Sequence, residues 1–121
     1  MHYAQPWQVK LFLFQFKEFA QKNFSFAERD KSLDTIARLG ITIKQAKDEI
    51  LGLTYQDYYR GPIPDKDRKG EDFWEFGKTI FGEQVLIKLK AKPKHGVAIC
   101  FAFHIAEEQI EYPYKKGEQE K

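Results

Sequence analysis

Apolar residues recur with the period of a helix at the start of the chain. Phe12, Phe16 and Phe19 share one side of the segment from about Pro6 to Lys22, and a proline suits a first helical turn. A strand over residues 9–13 is the competing interpretation, but the length of the pattern favours a helix. The sequence therefore predicts an N-terminal helix whose aromatic stripe faces the core.

The segment Phe24-Ser25-Phe26 allows two interpretations. It is either a short strand or the entry to a second helix. Ser25 and Glu28 have the spacing of a capping box, which favours the helix entry.

Two further helices are predicted downstream. The apolar stripe of the first consists of Leu33, Ile36 and Ala37. Gly40 is the expected left-handed cap at its end. Thr42 and Gln45 then form a capping box for the next helix.

From Arg60 to Asp72 the composition changes to prolines, glycines and mixed charges, which predicts a long, substrate-facing surface loop.

The last third of the chain alternates like an antiparallel sheet. One predicted face carries the large apolar residues Trp74, Phe76, Val85, Ile87, Leu89, Val97, Ile99, Phe101 and Phe103. The opposite face carries Glu75, Lys88, Lys90 and His104, with Cys100 and small alanines between them. The apolar face must pack on the helices. We therefore predict an α+β fold in which N-terminal helices cover one face of a three- to four-stranded antiparallel sheet.

Composition narrows the class of protein. The chain has 121 residues, 42% of them hydrophobic, which predicts one domain over residues 1–121 with a frayed tail from position 115. The single cysteine excludes an intrachain disulfide framework and fits a reducing compartment. No secretory signal is visible, and the apolar run at residues 11–14 is too short to span a bilayer. We expect a cytoplasmic protein with no membrane contact.

Charge is concentrated in one place. The formal net charge is only +2, yet residues 84–104 carry four lysines, two histidines and no carboxylate. A basic stretch on a hairpin can gather an anionic ligand. On the open face, a carboxylate, ammonium groups and an imidazole suit RNA transesterification, which needs proton transfer and cations near phosphorus. The alternative is that the same residues are only the solvated face of a one-sided sheet.

Metal sites are not expected. Asp65, Asp67 and Glu71 hint at a calcium loop, but Lys69 and Phe76 stand where such a loop needs oxygen ligands. Cys100 and His104 share a predicted strand face but are about 13 Å apart by strand rise. We predict no metal and no cofactor.

The order and spacing of several segments resemble a known family. LGITIKQAKDEILGLTYQDYYRGPIPDKDRKGEDFWEFGKTIFGEQVLIKLK, followed by VAICFAFHIAEEQIEYPY, is similar to the motility quorum-sensing regulator (MqsR) toxins, over about residues 24–114. The resemblance implies a RelE-like ribonuclease that cleaves mRNA without metal. It also implies a cognate protein antitoxin, expected to carry a helix-turn-helix.

The resemblance also implies site residues. The family's basic residue after the Asp-aromatic-Tyr turn falls on Arg60, its polar residue after the strand Trp on Glu75, and its closing basic residue on His104. Its strand Tyr falls on Leu86, a departure, and Lys88 is the substitute candidate. The predicted catalytic set is therefore His104, Glu75, Lys88 and Arg60. The residues expected to bind RNA are Lys90, Lys92, Lys94 and Tyr59. The rival hypothesis is a non-catalytic module that binds RNA or protein with the same basic face.

Overall fold

The computed structural model describes residues 3–115, which form three α-helices and a five-stranded sheet. The elements are α1 (Pro6–Ala20), β1 (Phe24–Phe26), α2 (Asp30–Leu39), α3 (Ile43–Leu51), a 3₁₀ turn (Tyr55–Asp57), β2 (Tyr58–Pro64), β3 (Asp72–Ile80), β4 (Glu83–Lys92) and β5 (Val97–Ile105). The predicted α+β class, with the helices before most of the strands, is confirmed. The predicted frayed tail lies outside the described residues except for Lys115.

The sheet has the strand order β1-β5-β4-β3-β2, and it is larger than the sequence predicted. Residues 58–64 form β2, although the sequence predicted a loop from Arg60 onward. Residues 24–26 form β1, which pairs in parallel with β5, so the favoured helix-entry interpretation is wrong. The other pairings are antiparallel. A three-residue strand is too short for periodicity to reveal, and its partner lies far along the chain.

Helix α1 covers one face of the sheet. Val9 and Phe16 are fully buried, and Phe12 stacks on Trp74 of β3 with ring centroids 4.8 Å apart. Because side chains alternate along a strand, Trp74 and Phe76 face this core and Glu75 points to the opposite face. The predicted helix and the predicted parity of β3 are both confirmed, which leaves the face away from α1 open for a site.

Helix α2 packs through hydroxyl groups as well as through Ile36, the one member of the predicted apolar stripe that packs against the core. Leu33 is 36% exposed, while Ser32 and Thr35 are buried. Ser32 Oγ accepts a hydrogen bond from the Phe103 amide at 3.1 Å, and Thr35 Oγ1 accepts one from the Ile105 amide at 3.1 Å. The strand β1 pairs only with residues 98–100 of β5, so the amides further along this edge have no strand partner. The two hydroxyls accept their hydrogen bonds instead, since buried amides need an acceptor. The first turn of α2 is thereby held at the edge of the open face.

Helix α3 begins at the predicted capping box. Gln45 N donates to Thr42 Oγ1 at 3.0 Å, and Thr42 N donates to Gln45 Oε1 at 2.9 Å. On its inner side, Lys78 of β3 lies 2.9 Å from Glu49 Oε1. The sequence predicted Lys78 to share the face of Trp74, outside the site, and this contact with a helix agrees.

A β-bulge changes the parity of β5. Lys88 is opposite Ala102, but the next pair along is Leu89 with Cys100, so Phe101 is inserted between them. Cys100 and Phe103 therefore both point into the core, where they are 1% and 0% exposed. The prediction that Cys100 lies on the open face and Phe101 on the core face is wrong, because an extra residue shifts the alternation.

The segment after β5 returns over the sheet. A Cβ placed on Gly77 would come within 2.6 Å of Ile110 Cδ1 and 2.5 Å of the Tyr112 hydroxyl, so any larger residue would have to displace these side chains. Further on, the Tyr114 hydroxyl donates to the Ala4 carbonyl at 2.6 Å. The segment covers one end of the open face and leaves the middle accessible.

Candidate active site

Three strands place polar residues in one row across the open face, and His104 of the fourth strand lies next to it. Arg60 of β2 is the cross-strand partner of Glu75 of β3, and Glu75 is the partner of Lys88 of β4. Lys88 is in turn opposite Ala102 of β5, two residues before His104. Adjacent strands lie about 4.8 Å apart, so the row brings a guanidinium, a carboxylate and an ammonium within reach of one small ligand.

Arg60 and Glu75 form an ion pair. Arg60 Nε lies 2.5 Å from Glu75 Oε1, with the two side chains 42% and 7% exposed. The guanidinium also lies over the Tyr59 ring, 4.8 Å from its centroid. The hydrogen bond to Glu75 raises the pKa of Arg60, against the opposing effect of burial. The pair holds the carboxylate in place and leaves part of the guanidinium accessible.

Two members of the row, Glu75 and Lys88, line a cavity of about 500 Å³. Its lining consists of Glu75, Leu86, Lys88, Phe101, Ala102 and His104 from the sheet, and Arg29, Asp30, Lys31 and Ser32 from the start of α2. The partial positive charge of a helix N-terminus favours an anion there. The lining includes the cationic side chains Arg29, Lys31 and Lys88 together with the carboxylates Asp30 and Glu75.

A second, smaller depression adjoins the first. It measures about 180 Å³ and contains Tyr59 and Arg60 together with Leu86 and His104, which line both spaces. His104 thus lies on the boundary between the two depressions. A chain of nucleotides crossing this boundary would bring a phosphate close to the imidazole.

The geometry of His104 defines its tautomer. Its Nδ1 lies 3.0 Å from the carbonyl oxygen of Ile105. A carbonyl oxygen only accepts hydrogen bonds, so Nδ1 carries the proton in this contact. In the neutral ring Nε2 is then unprotonated and can take a proton, and in the charged ring it can donate one. This arrangement equips His104 for proton transfer.

Leu86 and Lys88 follow each other on the open face of β4. Leu86 is the cross-strand partner of His104, so an apolar side chain lies beside the imidazole. The Lys88 ammonium lies 4.3 Å from the centroid of the Phe73 ring, on the neighbouring strand. A cation–π contact of this kind holds the charge near the cavity while leaving it half-exposed.

Lys90 does not belong to the accessible site. Its side chain is 1% exposed, and its ammonium lies 2.5 Å from Asp65 Oδ2 and 2.8 Å from Glu71 Oε1. The predicted RNA-binding role of Lys90 is therefore corrected, because its charge is already neutralised by the loop between β2 and β3. The same contacts fasten residues 65–71 to the sheet, in place of the open substrate-facing loop that the sequence predicted.

The remaining predicted RNA-binding residues separate into two groups. Tyr59 lines the smaller depression beside Arg60. Lys92 and Lys94 lie at the hairpin between β4 and β5, and Lys92 is about 20 Å along β4 from Leu86 at the usual strand rise. These two lysines are too far from His104 to act on the same chemical group as its imidazole.

Sequence reasoning missed five residues of the cavity, among them Arg29, Lys31 and Phe101. Arg29 and Lys31 reach it only because α2 is held against β5, and Phe101 reaches it only because of the bulge. The basic sequence at the start of α2 was a visible signal for the first two. Nothing in the apolar run of β5 distinguished Phe101 from its neighbours.

Cys100 stands apart from this chemistry. Burial raises the pKa of its thiol to about 12, so it is not a nucleophile near neutral pH. Among residues 3–115, no group of three or more His, Cys, Asp or Glu side chains is placed to hold a metal ion.

Comparisons with known proteins add no assignment. No family profile matches the chain, and no curated protein matches it significantly. Within the described part of the chain, none of the helices has the length and apolar character needed to cross a membrane.

Proposed function

We propose that this protein is a metal-independent endoribonuclease, the toxin component of a type II toxin–antitoxin system, which cleaves mRNA in the cytoplasm. The observation that carries the proposal is the cross-strand row of Arg60, Glu75 and Lys88 in contact with the cavity that His104 lines. The similarity to MqsR toxins in segment order supports the biological role. No cofactor takes part in the proposed reaction.

The proposed reaction is an internal transesterification. The 2′-oxygen attacks phosphorus as its proton leaves to a base, and the bond from phosphorus to the 5′-oxygen breaks. The departing 5′-oxygen takes a proton from an acid, so the products are a 2′,3′-cyclic phosphate and a 5′-hydroxyl end. Both proton transfers and the charge on the phosphorane require groups positioned within hydrogen-bond reach.

The side chains divide these tasks. His104 serves as the general acid through Nε2, since Nδ1 is occupied by the Ile105 carbonyl. Glu75 positions or deprotonates the 2′-hydroxyl. Arg60 and Lys88 flank the carboxylate on neighbouring strands and bind the scissile phosphate. Lys90 has no part in this scheme because it is paired with Asp65 and Glu71.

A protein that cuts cellular RNA needs a neutralising partner. We propose that a cognate antitoxin, carrying a helix-turn-helix, binds over the open face and blocks the cavity. A specific complex of this kind buries more than about 1,000 Å². Co-expression of this antitoxin, which we expect the same operon to encode, should restore growth and yield a stable complex. Failure to recover the two proteins together would count against this part of the proposal.

The second candidate function is a non-catalytic module that holds RNA or a protein through the same face. The burial of Glu75 and its pairing with Arg60 favour this alternative, because a carboxylate already held in an ion pair is less free to contact a 2′-hydroxyl. The ribonuclease and the binding module would use the same surface, but only the ribonuclease would cleave the RNA that it binds.

The deciding experiment is RNA cleavage by the purified protein in excess EDTA, with analysis of the product ends. The proposal expects cleavage with 2′,3′-cyclic phosphate and 5′-hydroxyl ends, because side chains supply all the proton transfers. A substrate with 2′-O-methyl groups is the matched control and should remain intact. Cleavage that stops with chelator and returns with magnesium would contradict the mechanism, and binding without cleavage would favour the second candidate.

A further inference from the structure

The bulge in β5 presents one aromatic ring to a cavity that is otherwise mostly charged. Phe101 is the inserted residue between the pairs Lys88–Ala102 and Leu89–Cys100. Its neighbours in the chain, Cys100 and Ala102, are buried, while Phe101 is only partly buried and lines the cavity. A large apolar side chain that stays exposed in a polar cavity does not gain the free energy of leaving water. A ligand with an apolar surface of its own would supply that gain by covering the ring.

The ring of Phe101 contacts two neighbouring side chains, Phe73 and Lys90. Phe73 packs edge to face against it, with centroids 4.9 Å apart and an interplanar angle of 82°. The buried Lys90 ammonium lies 5.2 Å from its centroid. Because Lys90 is itself fixed by Asp65 and Glu71, the aromatic surface is rigid before any ligand arrives.

The surroundings of the ring fit a nucleotide. Lys88 and His104 line the same cavity as Phe101, and Arg29 and Lys31 line it from the start of α2. The cavity volume of about 500 Å³ falls within the range of small-ligand sites. A flat aromatic base beside a phosphate combines the two kinds of surface that this cavity offers.

We propose that Phe101 is a stacking platform for one unpaired base of a single-stranded nucleic acid whose phosphate lies against Lys88 and His104. The inference rests on the proposed function in that it names a binding determinant of the same site. Stacking uses the π-face that every base has, so the platform accepts any base and selects unpaired over duplex RNA. Stacking on Phe101 would let the site bind RNA without recognising the base through hydrogen bonds.

The test measures binding without chemistry. A short single-stranded DNA lacks the 2′-hydroxyl and cannot be cleaved by the proposed reaction, so its affinity reports binding alone. Phe101→Leu is expected to weaken binding by about 5- to 150-fold, the usual loss for one stacked base. Phe101→Tyr keeps the ring and should bind like the wild type. Phe14→Leu changes a phenylalanine that is 65% exposed on α1, and serves as the matched control with unchanged affinity.

Salt dependence separates stacking from charge. Phe101→Leu should lower affinity at every salt concentration and leave the slope of log affinity against log salt unchanged. Lys88→Met should make the slope shallower by about 0.7, the value for one phosphate contact on a single strand. Wild-type affinity in Phe101→Leu, or an equal loss in Phe101→Tyr, would overturn the platform.

The outcomes also distinguish this inference from the proposed function. A wild-type protein that cleaves RNA while Phe101→Leu binds DNA normally would keep the ribonuclease and remove the platform. A wild-type protein that fails to cleave RNA, yet binds DNA in a Phe101-dependent way, would keep the platform and remove the ribonuclease. A wild-type protein that neither cleaves RNA nor binds single-stranded DNA would overturn both.

Discussion

Arg60 and Glu75 are cross-strand partners whose side chains meet at 2.5 Å, and the burial of the two side chains is unequal. The carboxylate is 7% exposed, whereas the guanidinium is 42% exposed. The buried Glu75 carboxylate therefore depends on the more exposed Arg60 guanidinium to neutralise its charge. If the guanidinium also binds a phosphate, the ligand and the carboxylate share one cation.

Removing the accessible member should destabilise the protein. Arg60→Ala leaves a buried carboxylate without its hydrogen-bond donor, which costs about 1–3 kcal/mol of unfolding free energy. Adding Glu75→Gln should recover part of that loss, because a neutral amide is cheaper to bury than a charge. Urea denaturation of the two variants checks this. A double variant less stable than Arg60→Ala would show that the amide, and not the charge, is the poorly accommodated group.

His104 can be tested with a substitution that keeps its structural contact. In His104→Asn the side-chain amide can still donate to the Ile105 carbonyl, as Nδ1 does, but it lacks the atom that corresponds to Nε2. Cleavage should fall by about 10²–10⁴-fold, the usual range for a general acid or base. Stability should change by no more than about 0.5 kcal/mol. His95→Asn, at the exposed hairpin, is the control and should cleave normally, and wild-type rates in His104→Asn would remove His104 from the mechanism.

The buried Lys90 predicts a pH-dependent contribution to stability. Its hydrogen bonds lower the pKa of both Asp65 and Glu71 below their ordinary values. A carboxyl group with a lowered folded-state pKa stabilises the fold above its unfolded pKa and loses that effect as pH falls through the folded pKa. The stability advantage of the wild type over Lys90→Met should therefore be full at neutral pH and shrink below the ordinary carboxyl range.

Denaturation curves at a series of pH values measure this difference. Near neutral pH we expect a loss on the order of 3 kcal/mol in Lys90→Met, because two carboxylates lose their buried partner. Lys94→Met, on the exposed hairpin, should cost almost nothing at any pH. A difference between wild type and Lys90→Met that stays constant into acid would contradict the ion-pair explanation.

The hydroxyl contacts of α2 give a structural prediction. Thr35→Val conserves shape but leaves the Ile105 amide without its acceptor, so unfolding free energy should drop by about 1–3 kcal/mol. Thr79→Val, at an exposed position of β3, should lie within about 0.5 kcal/mol of wild type. Equal stability of both variants would mean that water replaces the Thr35 hydroxyl.

The sequence predicted those parts of the site that lie on regular strands. Glu75 and Lys88 fall on the open face because β3 and β4 pair without interruption between Trp74 and Ile80. On β5 the alternation failed, because residues 97–103 are all apolar and either phase of the strand reads equally well. The bulge is a property of the pairing with β4, and single-strand periodicity does not encode it.

Long-range pairing explains the other differences. Lys90 looked like one more exposed lysine because its two acidic partners lie earlier in the chain, on a loop that periodicity does not describe. Likewise, the three residues of β1 become a strand only through their pairing with β5, more than 70 residues later. The local sequence pattern predicts the helices and most strands. The partners of Lys90 and of β1 depend on contacts between segments that are far apart in the chain.

The position of β5 between β1 and β4 has a consequence for how the protein is made. All the other strands precede β5 in the chain, so they emerge from the ribosome first. Until β5 follows them, β1 lacks its neighbour, the α2 hydroxyls have no amides to accept from, and His104 is not yet present. Contacts of such long sequence separation form late and slowly. Assembly of the cavity therefore requires translation to pass β5, and a truncated product ending before Val97 would lack the site altogether.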